Sequence, residues 1–228
     1  MSDGVEFTSE IGGDEVKLKL VEENIDIERK CDTEYHIAYT QLIGRGIVPR
    51  ATLEKRMEEH ELWTTKEEKA LGELQIDLAK LHIELEAATT HEKGLELATK
   101  MGKLRAECLK LVEVKAAVLS NSCESLADQI RRDAYIAYGT VYAETGKKVF
   151  ADYNDFLARA DDKCVADARI TMLNIAAQSF SESLTGLPEV NYVKKVEGEI
   201  DNATAVASKK KAAKKKAAKK KRVVKKKT

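Results

Sequence analysis

A chain of 228 residues that is 34% charged, 43% hydrophobic and only 5% aromatic, with 2 Pro and 12 Gly, has the make-up of long helices rather than of a sandwich or barrel. It is long enough to bury a core, as one domain or two small ones. No run of about 18 apolar residues occurs, so no membrane-spanning segment and no membrane partner are expected. The formal net charge of zero conceals a segregation. From Lys209 to Thr228 there are twelve Lys, Arg222 and no acid; removing those 13 cations from the 39 basic residues leaves 26 against 39 acids. The body carries −13 and the tail +13.

Residues 1–21 read as an acidic, flexible segment. Met1 to Asp14 lacks the basic flank and apolar core of a signal peptide, which points to a cytoplasmic protein, or a nuclear one in a eukaryotic source. Within the segment Val16, Leu18 and Leu20 alternate with Lys17 and Lys19, the period of a strand over Glu15 to Val21, although a strand alone is not stable. From about Glu22 to Leu42 the pattern turns helical, with Cys31, Tyr35, Ala38, Tyr39 and Leu42 on one face. Gly44 and Gly46 stop it, and Pro49 opens a short helix from Arg50 to His60 with Leu53 and Met57 inward.

Thr65-Lys66-Glu67-Glu68 predicts a capping box. Beyond it Leu71, Leu74, Leu78, Leu81, Leu85 and Ala88 keep the 3-4 spacing of a heptad seam. A second cap signal at Thr89-Thr90-His91-Glu92 precedes a seam in a new phase: Leu97, Met101, Leu104, Cys108, Leu111 and Val118. A cap with a phase jump predicts an antiparallel helical hairpin or coiled coil, with arms over about 65–88 and 90–119. One unbroken helix with a stutter is the alternative. Five buried leucines contribute about 1.5–3 kcal/mol each, against about 1–2 kcal/mol of backbone entropy per ordered residue. The hairpin therefore needs a further partner, in this chain or in another subunit.

Asn121-Ser122-Cys123-Glu124 starts another helix, with Leu126, Ile130, Ala134, Ala137 and Val141 as its stripe, Tyr135, Tyr138 and Tyr142 beside it, and Gly146 as its stop. Asp152 begins a short helix to Ala160. Asp161 or Asp162 caps the next, with Val165, Ala168, Met172, Ala176 and Phe180 facing inward. Gly186 and Pro188 close the ordered part, with Leu187, Val190 and Tyr192 as a last apolar latch. The expected fold is all-α: one helical domain over 22–196, then a disordered Lys/Ala-rich tail over 197–228.

No catalytic chemistry is spelled out. His36, His60, His82 and His91 do not stand at ligand spacing, and His60-Glu61-Leu62-Trp63-Thr64 fails the two-histidine zinc pattern at its last position. No phosphate-binding glycine loop, dinucleotide fingerprint or nucleophile elbow occurs. Cys31, Cys108, Cys123 and Cys164 are widely spaced with no C-x-x-C, as buried thiols are. A non-enzyme without metal or cofactor is expected. The tyrosine stripe can in principle stack bases, but at helical spacing it reads as half-buried core.

The tail carries the chemistry. Lys209, Lys210 and Lys211, then Lys214, Lys215 and Lys216, then Lys219, Lys220 and Lys221 are separated by alanine pairs, before Arg222 and a last triplet Lys225, Lys226 and Lys227. A period of five spreads charge round a helix, so this is no membrane-surface amphipath. Counterion release makes it a sequence-blind ligand for nucleic acid or another polyanion. The stretch resembles the Lys/Ala-rich tails of linker histones and bacterial histone-like proteins, and Lys219 to Arg222 also resembles a nuclear-import signal.

The body carries a second resemblance. Thr33-Glu34-Tyr35-His36-Ile37-Ala38-Tyr39 runs into Leu42-Ile43-Gly44-Arg45-Gly46-Ile47-Val48-Pro49-Arg50. Further on come Val141-Tyr142-Ala143-Glu144-Thr145-Gly146, Val149-Phe150-Ala151-Asp152-Tyr153-Asn154-Asp155-Phe156-Leu157 and Leu187-Pro188-Glu189-Val190. Over about 25–193 these resemble helical virion-assembly or tail-assembly-chaperone proteins of large tailed bacteriophages. That resemblance implies a scaffold-like or chaperone-like assembly protein in the host cytoplasm or the virion. Two readings result: an assembly protein that meets a protein partner, or itself, through its helices while the tail holds a polyanion; or a histone-like compactor in which the tail is the active part. The acidic body favours the first.

Overall fold

A computed structural model describes residues 4–198. Among these the chain is mostly helical, with a three-stranded antiparallel sheet added. Two compact units emerge among them, one from residues 4–72 with 109–182, the other from residues 73–108 with 183–198. The sequence suggests a helical domain over 22–196, and the boundaries between the two units fall inside its long helices.

In the first unit, β1 (Gly4–Ile11) and β2 (Asp14–Val21) pair from Gly4 opposite Val21 to Ile11 opposite Asp14. The two-residue turn between them puts Gly12 and Gly13 at φ 64° and 92°, the left-handed pair that a tight hairpin requires. The expected strand over Glu15 to Val21 is present, but it is not alone. The acidic segment read as flexible supplies its partner, and the all-α expectation is corrected accordingly. The reason is burial: Leu18, Leu20 and Val21 lie under the surface, and Phe7, Ile11 and Val16 pack on the same core. Ser9 Oγ donates to Asp167 Oδ2 at 2.7 Å, tying β1 to a helix far along the chain.

Helix α1 (Ile25–Gly44) begins at Asn24, whose side chain accepts from the backbone N–H groups of Asp26 and Ile27. Helix α2 (Arg50–Glu59) follows, and α5 (Cys123–Gly139) is capped by Ser122. Cys31, Ala38, Cys123, Ala127, Ala134 and Ala137 are all buried between α1 and α5; small side chains there let two helix backbones approach closely. Arg131 of α5 bridges back to Asp32 (2.9 Å) and Glu23 (3.1 Å).

The helix expected to continue to Gly146 ends at Gly139. Thr140–Tyr142 instead forms β3, a strand on the free edge of β2 with Leu18 opposite Tyr142. β-Branched Thr140 and Val141 suit that pleat. Helix α6 (Tyr153–Ala158), capped by Asp152, sets Phe156 edge-on to Phe150 with Tyr153 stacked on Phe156, and α7 (Lys163–Thr185) adds Cys164, Val165 and Ala168 to this main core.

The hairpin arms are α3 (Thr65–Glu86) and α4 (His91–Leu119), two helices rather than one with a stutter. In the first unit Leu71, Leu111, Val118 and Leu119 join Leu53, Met57 and Trp63 in a small core. The α3 capping box lies one residue before the expected one. Thr64 Oγ1 accepts from Lys66 N, and Glu67 reaches back to Thr64 N at 2.8 Å. Glu68 is thereby released to accept from Trp63 Nε1 (2.7 Å) and Lys115 (2.9 Å).

In the second unit Leu81, Leu85, Leu97, Ala98 and Met101 form the core, with Leu78, Ala88 and Leu104 half-buried around it. A further helix, α8 (residues 188–198), opens at Pro188, where the ordered part was expected to close. Its Tyr192 and Val193 pack on the hairpin, and Tyr192 covers Gly94, where a Cβ would overlap the ring.

Candidate interaction surface

Of the expected seam residues, Leu78, Leu81, Leu85, Leu97, Met101 and Leu104 come together in the second unit, and Leu71 and Leu111 in the first; Leu74 is half-buried. Leu81, Leu85, Leu97 and Met101 are buried core. The thirteen tail cations from Lys209 to Lys227 lie outside the described residues.

The groups weighed for chemistry are dispersed or sealed. Among the described residues no cluster of His, Cys, Asp and Glu is arranged to hold a metal, and no helix is long and apolar enough to cross a membrane. All four cysteines are free and buried. Burial pushes the Cys31 thiol up to about 11, with Glu23 adding to the effect, and burial also raises Cys123 and Cys164. Thiols held protonated are poor nucleophiles and poor metal ligands.

The tyrosine stripe is structural. Tyr135 donates to the Val21 carbonyl at 2.8 Å, and Tyr138 donates to Glu34 at 2.8 Å. Burial, and then the Glu34 bond, push the Tyr138 phenol up to about 12. Tyr138 is buried, and Tyr135 and Tyr142 are half-buried against the main core. A concavity of about 470 Å³ in the first unit gathers Arg50, Lys115 and Arg132, but also Asp128, and Lys115 is already paired with Glu68.

Among the described residues, α7 carries several exposed apolar side chains. The sequence pattern places Ala176 and Phe180 inward with Val165, Ala168 and Met172; only Val165 and Ala168 are buried, and Met172 is half-buried. Phe180 is 63% exposed, and with Ile170 (54%) and Leu173 (67%) it forms a stripe at 3-4-3 spacing through exposed Ala177. Ile170–Thr185 contains a single charged side chain, Glu182, in a chain that is 34% charged. Other exposed aliphatics sit among charges: Ile76 and Ile83 of α3 flank the Lys80–Asp77 and His82–Glu86 pairs. The α7 stripe was missed because periodicity marks an apolar face without saying what covers it; its freedom from charge was the available signal.

No protein-family model matches the chain, and no match to it was found among curated proteins or solved structures.

Proposed function

We propose that this chain is a non-enzymatic, scaffold-like assembly protein whose helical body engages a protein partner or a second copy, while its tail from Lys209 to Lys227 attaches to nucleic acid or another polyanion. The observation that carries the reading is the division of charge, −13 on residues 1–208 and +13 on the tail. An acidic body repels a phosphate backbone everywhere except at the tail, so the two parts are suited to different partners. The uncharged stripe on α7 supports a protein contact for the body, and the resemblance to phage virion-assembly proteins fits the same role in a host cytoplasm or virion.

The Lys/Ala triplet repeat favours a second reading, a histone-like compactor in which the body only brings tails together. Titrating random duplex with the full chain, and with a chain ending at Ser208, tests the shared premise. Binding that weakens steeply with salt and is lost on shortening supports it. Equal binding by the shortened chain overturns it. Compaction is then separated from attachment by whether the full chain condenses long duplex or only decorates it.

A further inference from the structure

We propose that Lys148 is a nucleophilic amine and a site of acylation, its Nζ taking an acyl group from a thioester because Lys30 stands beside it over the Tyr138 ring. Every residue involved belongs to the first unit.

Lys148 lies in an extended segment that the fold pins on both sides. The Tyr142 N–H donates to the Lys147 carbonyl at 2.8 Å, and the Val149 N–H donates to the Thr140 carbonyl at 3.1 Å. Val141 stands opposite Lys148 in the same bridge. Lys30 is on α1, whose Cys31 shares the main core with Ala134 of α5. The Lys30 Nζ sits 5.4 Å from the centroid of the Tyr138 ring, and the Lys148 Nζ sits 5.9 Å from the same centroid. The ring attracts each cation, and in gathering both it brings the two nitrogens within hydrogen-bonding reach of each other. Tyr138 is 9% exposed. Swinging either lysine aside would uncover part of its ring, so apolar cover holds two like charges together.

The surrounding acids do not cancel the pair. Glu34 and Asp152 are carboxylates that act on Tyr138, and Glu34 accepts from its phenol at 2.8 Å. Among the described residues neither Lys30 nor Lys148 forms an ion pair. Releasing one proton relieves the repulsion. The contact with Lys30, and then burial, bring the Lys148 amine down from its ordinary value. A lysine freed of its proton by a neighbouring cation is an activated nucleophile. Lys148 is exposed, so a reagent reaches it.

The step is an acyl transfer. The Nζ lone pair attacks the thioester carbonyl carbon; the C–N bond forms, the C–S bond breaks, and sulfur leaves with its electron pair. The proton lost from nitrogen goes to that thiolate or to water. The amide is neutral, so acylation removes one of the two opposed charges.

The experiment exposes the full chain to limiting S-phenyl thioacetate, in a buffer without phosphate or sulfate so that no oxyanion neutralises the pair. Peptide mass spectrometry follows acetylation at Lys30, Lys147 and Lys148 from mildly acidic to alkaline pH. Lys147 is the internal control: it is also exposed, and in an extended segment it points to the opposite side from Lys148. Lys148 is expected to react several-fold faster than Lys147 near neutral pH, with its rate reaching half-maximum at a lower pH. Lys30→Gln should bring Lys148 down to the Lys147 rate. Lys30→Arg, which keeps a cation there, should preserve most of the advantage. Lys30 is exposed, so both variants should keep the far-UV spectrum of the parent. Equal rates at Lys147 and Lys148 overturn the proposal. So does faster reaction at Lys30 than at Lys148, or an advantage that survives Lys30→Gln.

Discussion

The Glu189 carboxylate, 5% exposed, is gripped by the Arg105 guanidinium from 84 positions away, with Nε on Oε1 and Nη2 on Oε2, the latter at 3.2 Å. Burial pushes the Glu189 carboxyl up, but the Arg105 hydrogen bonds, its own helix N–H and the nearby positive charge outweigh it, and the net shift is downward. A lowered folded value means that the pair stabilises the second unit above the ordinary glutamate range and loses that contribution as pH falls through the folded value. Arg105→Leu leaves a buried charge unpaired, so a cost of about 3–5 kcal/mol is expected, and the sign of the pH dependence should reverse, because burial alone raises the pKa. Chemical denaturation of both proteins between mildly acidic and neutral pH measures this. An Arg105→Leu variant as stable as the parent at neutral pH would remove the pair from the argument.

The N-terminal hairpin is the second point of test. Leu18 is fully buried beneath it, so Leu18→Ala is expected to cost about 2–5 kcal/mol, whereas Thr8→Ala on the exposed face should change little. A neutral Leu18→Ala, read from the urea midpoint, would mean that residues 4–21 do not belong to the core.

Those residues also show how far the sequence can be read. The strand over Glu15 to Val21 was legible because Val16, Leu18 and Leu20 alternate with lysines. Its partner has the same period through Val5, Phe7, Ser9 and Ile11, but Glu6, Ser9 and Glu10 make it look like an acidic tail, and only the shared core distinguishes the two. The hairpin arms were legible for a stronger reason: two caps and two phases of leucine over some fifty residues leave few alternatives. At Thr140 and at Phe180 local pattern failed for opposite reasons. A neighbouring strand edge captured the first from helix, and the second is exposed among the described residues. Both depend on what lies across the fold, which spacing along the chain does not encode.

The leucine seam yields a paired expectation. Leu81 is 5% exposed and Ile83, two residues on, is 68% exposed. Leu81→Ala should cost about 2–5 kcal/mol, while Ile83→Ala should fall within about 0.5 kcal/mol of wild type. Equal effects by thermal and urea denaturation would contradict the packing of α3 against α4.

Thiol labelling checks the interior of the first unit. Cys31, Cys123 and Cys164 have no exposed surface, and burial raises all three thiols. A thiol-specific reagent at mildly alkaline pH should leave them unmodified in the native chain and label them quickly in denaturant. Prompt labelling of the native protein would show that the α1–α5 contact opens, or that one of these cysteines is reactive by design.

The tail gives the most quantitative expectation. Thirteen cations crowded between Lys209 and Lys227 cannot all meet phosphates at once, because neighbouring lysines point apart. If about six to ten do, the log–log slope of duplex affinity against salt is about −5 to −9. Lysines on phosphates position a protein without reading bases, so scrambling the duplex should change affinity little. Fluorescence anisotropy between about 50 and 200 mM salt spans a range in which such a contact loses several orders of magnitude of affinity. The chain ending at Ser208, carrying only the −13 of the body, should show no binding at the low-salt end, where attraction to phosphate is strongest. A flat salt response would mean that the tail's partner is not a phosphate backbone. The body's own acids would then be the nearest competing polyanion, and adding free tail peptide to the shortened chain would reveal them by a mobility shift that salt abolishes.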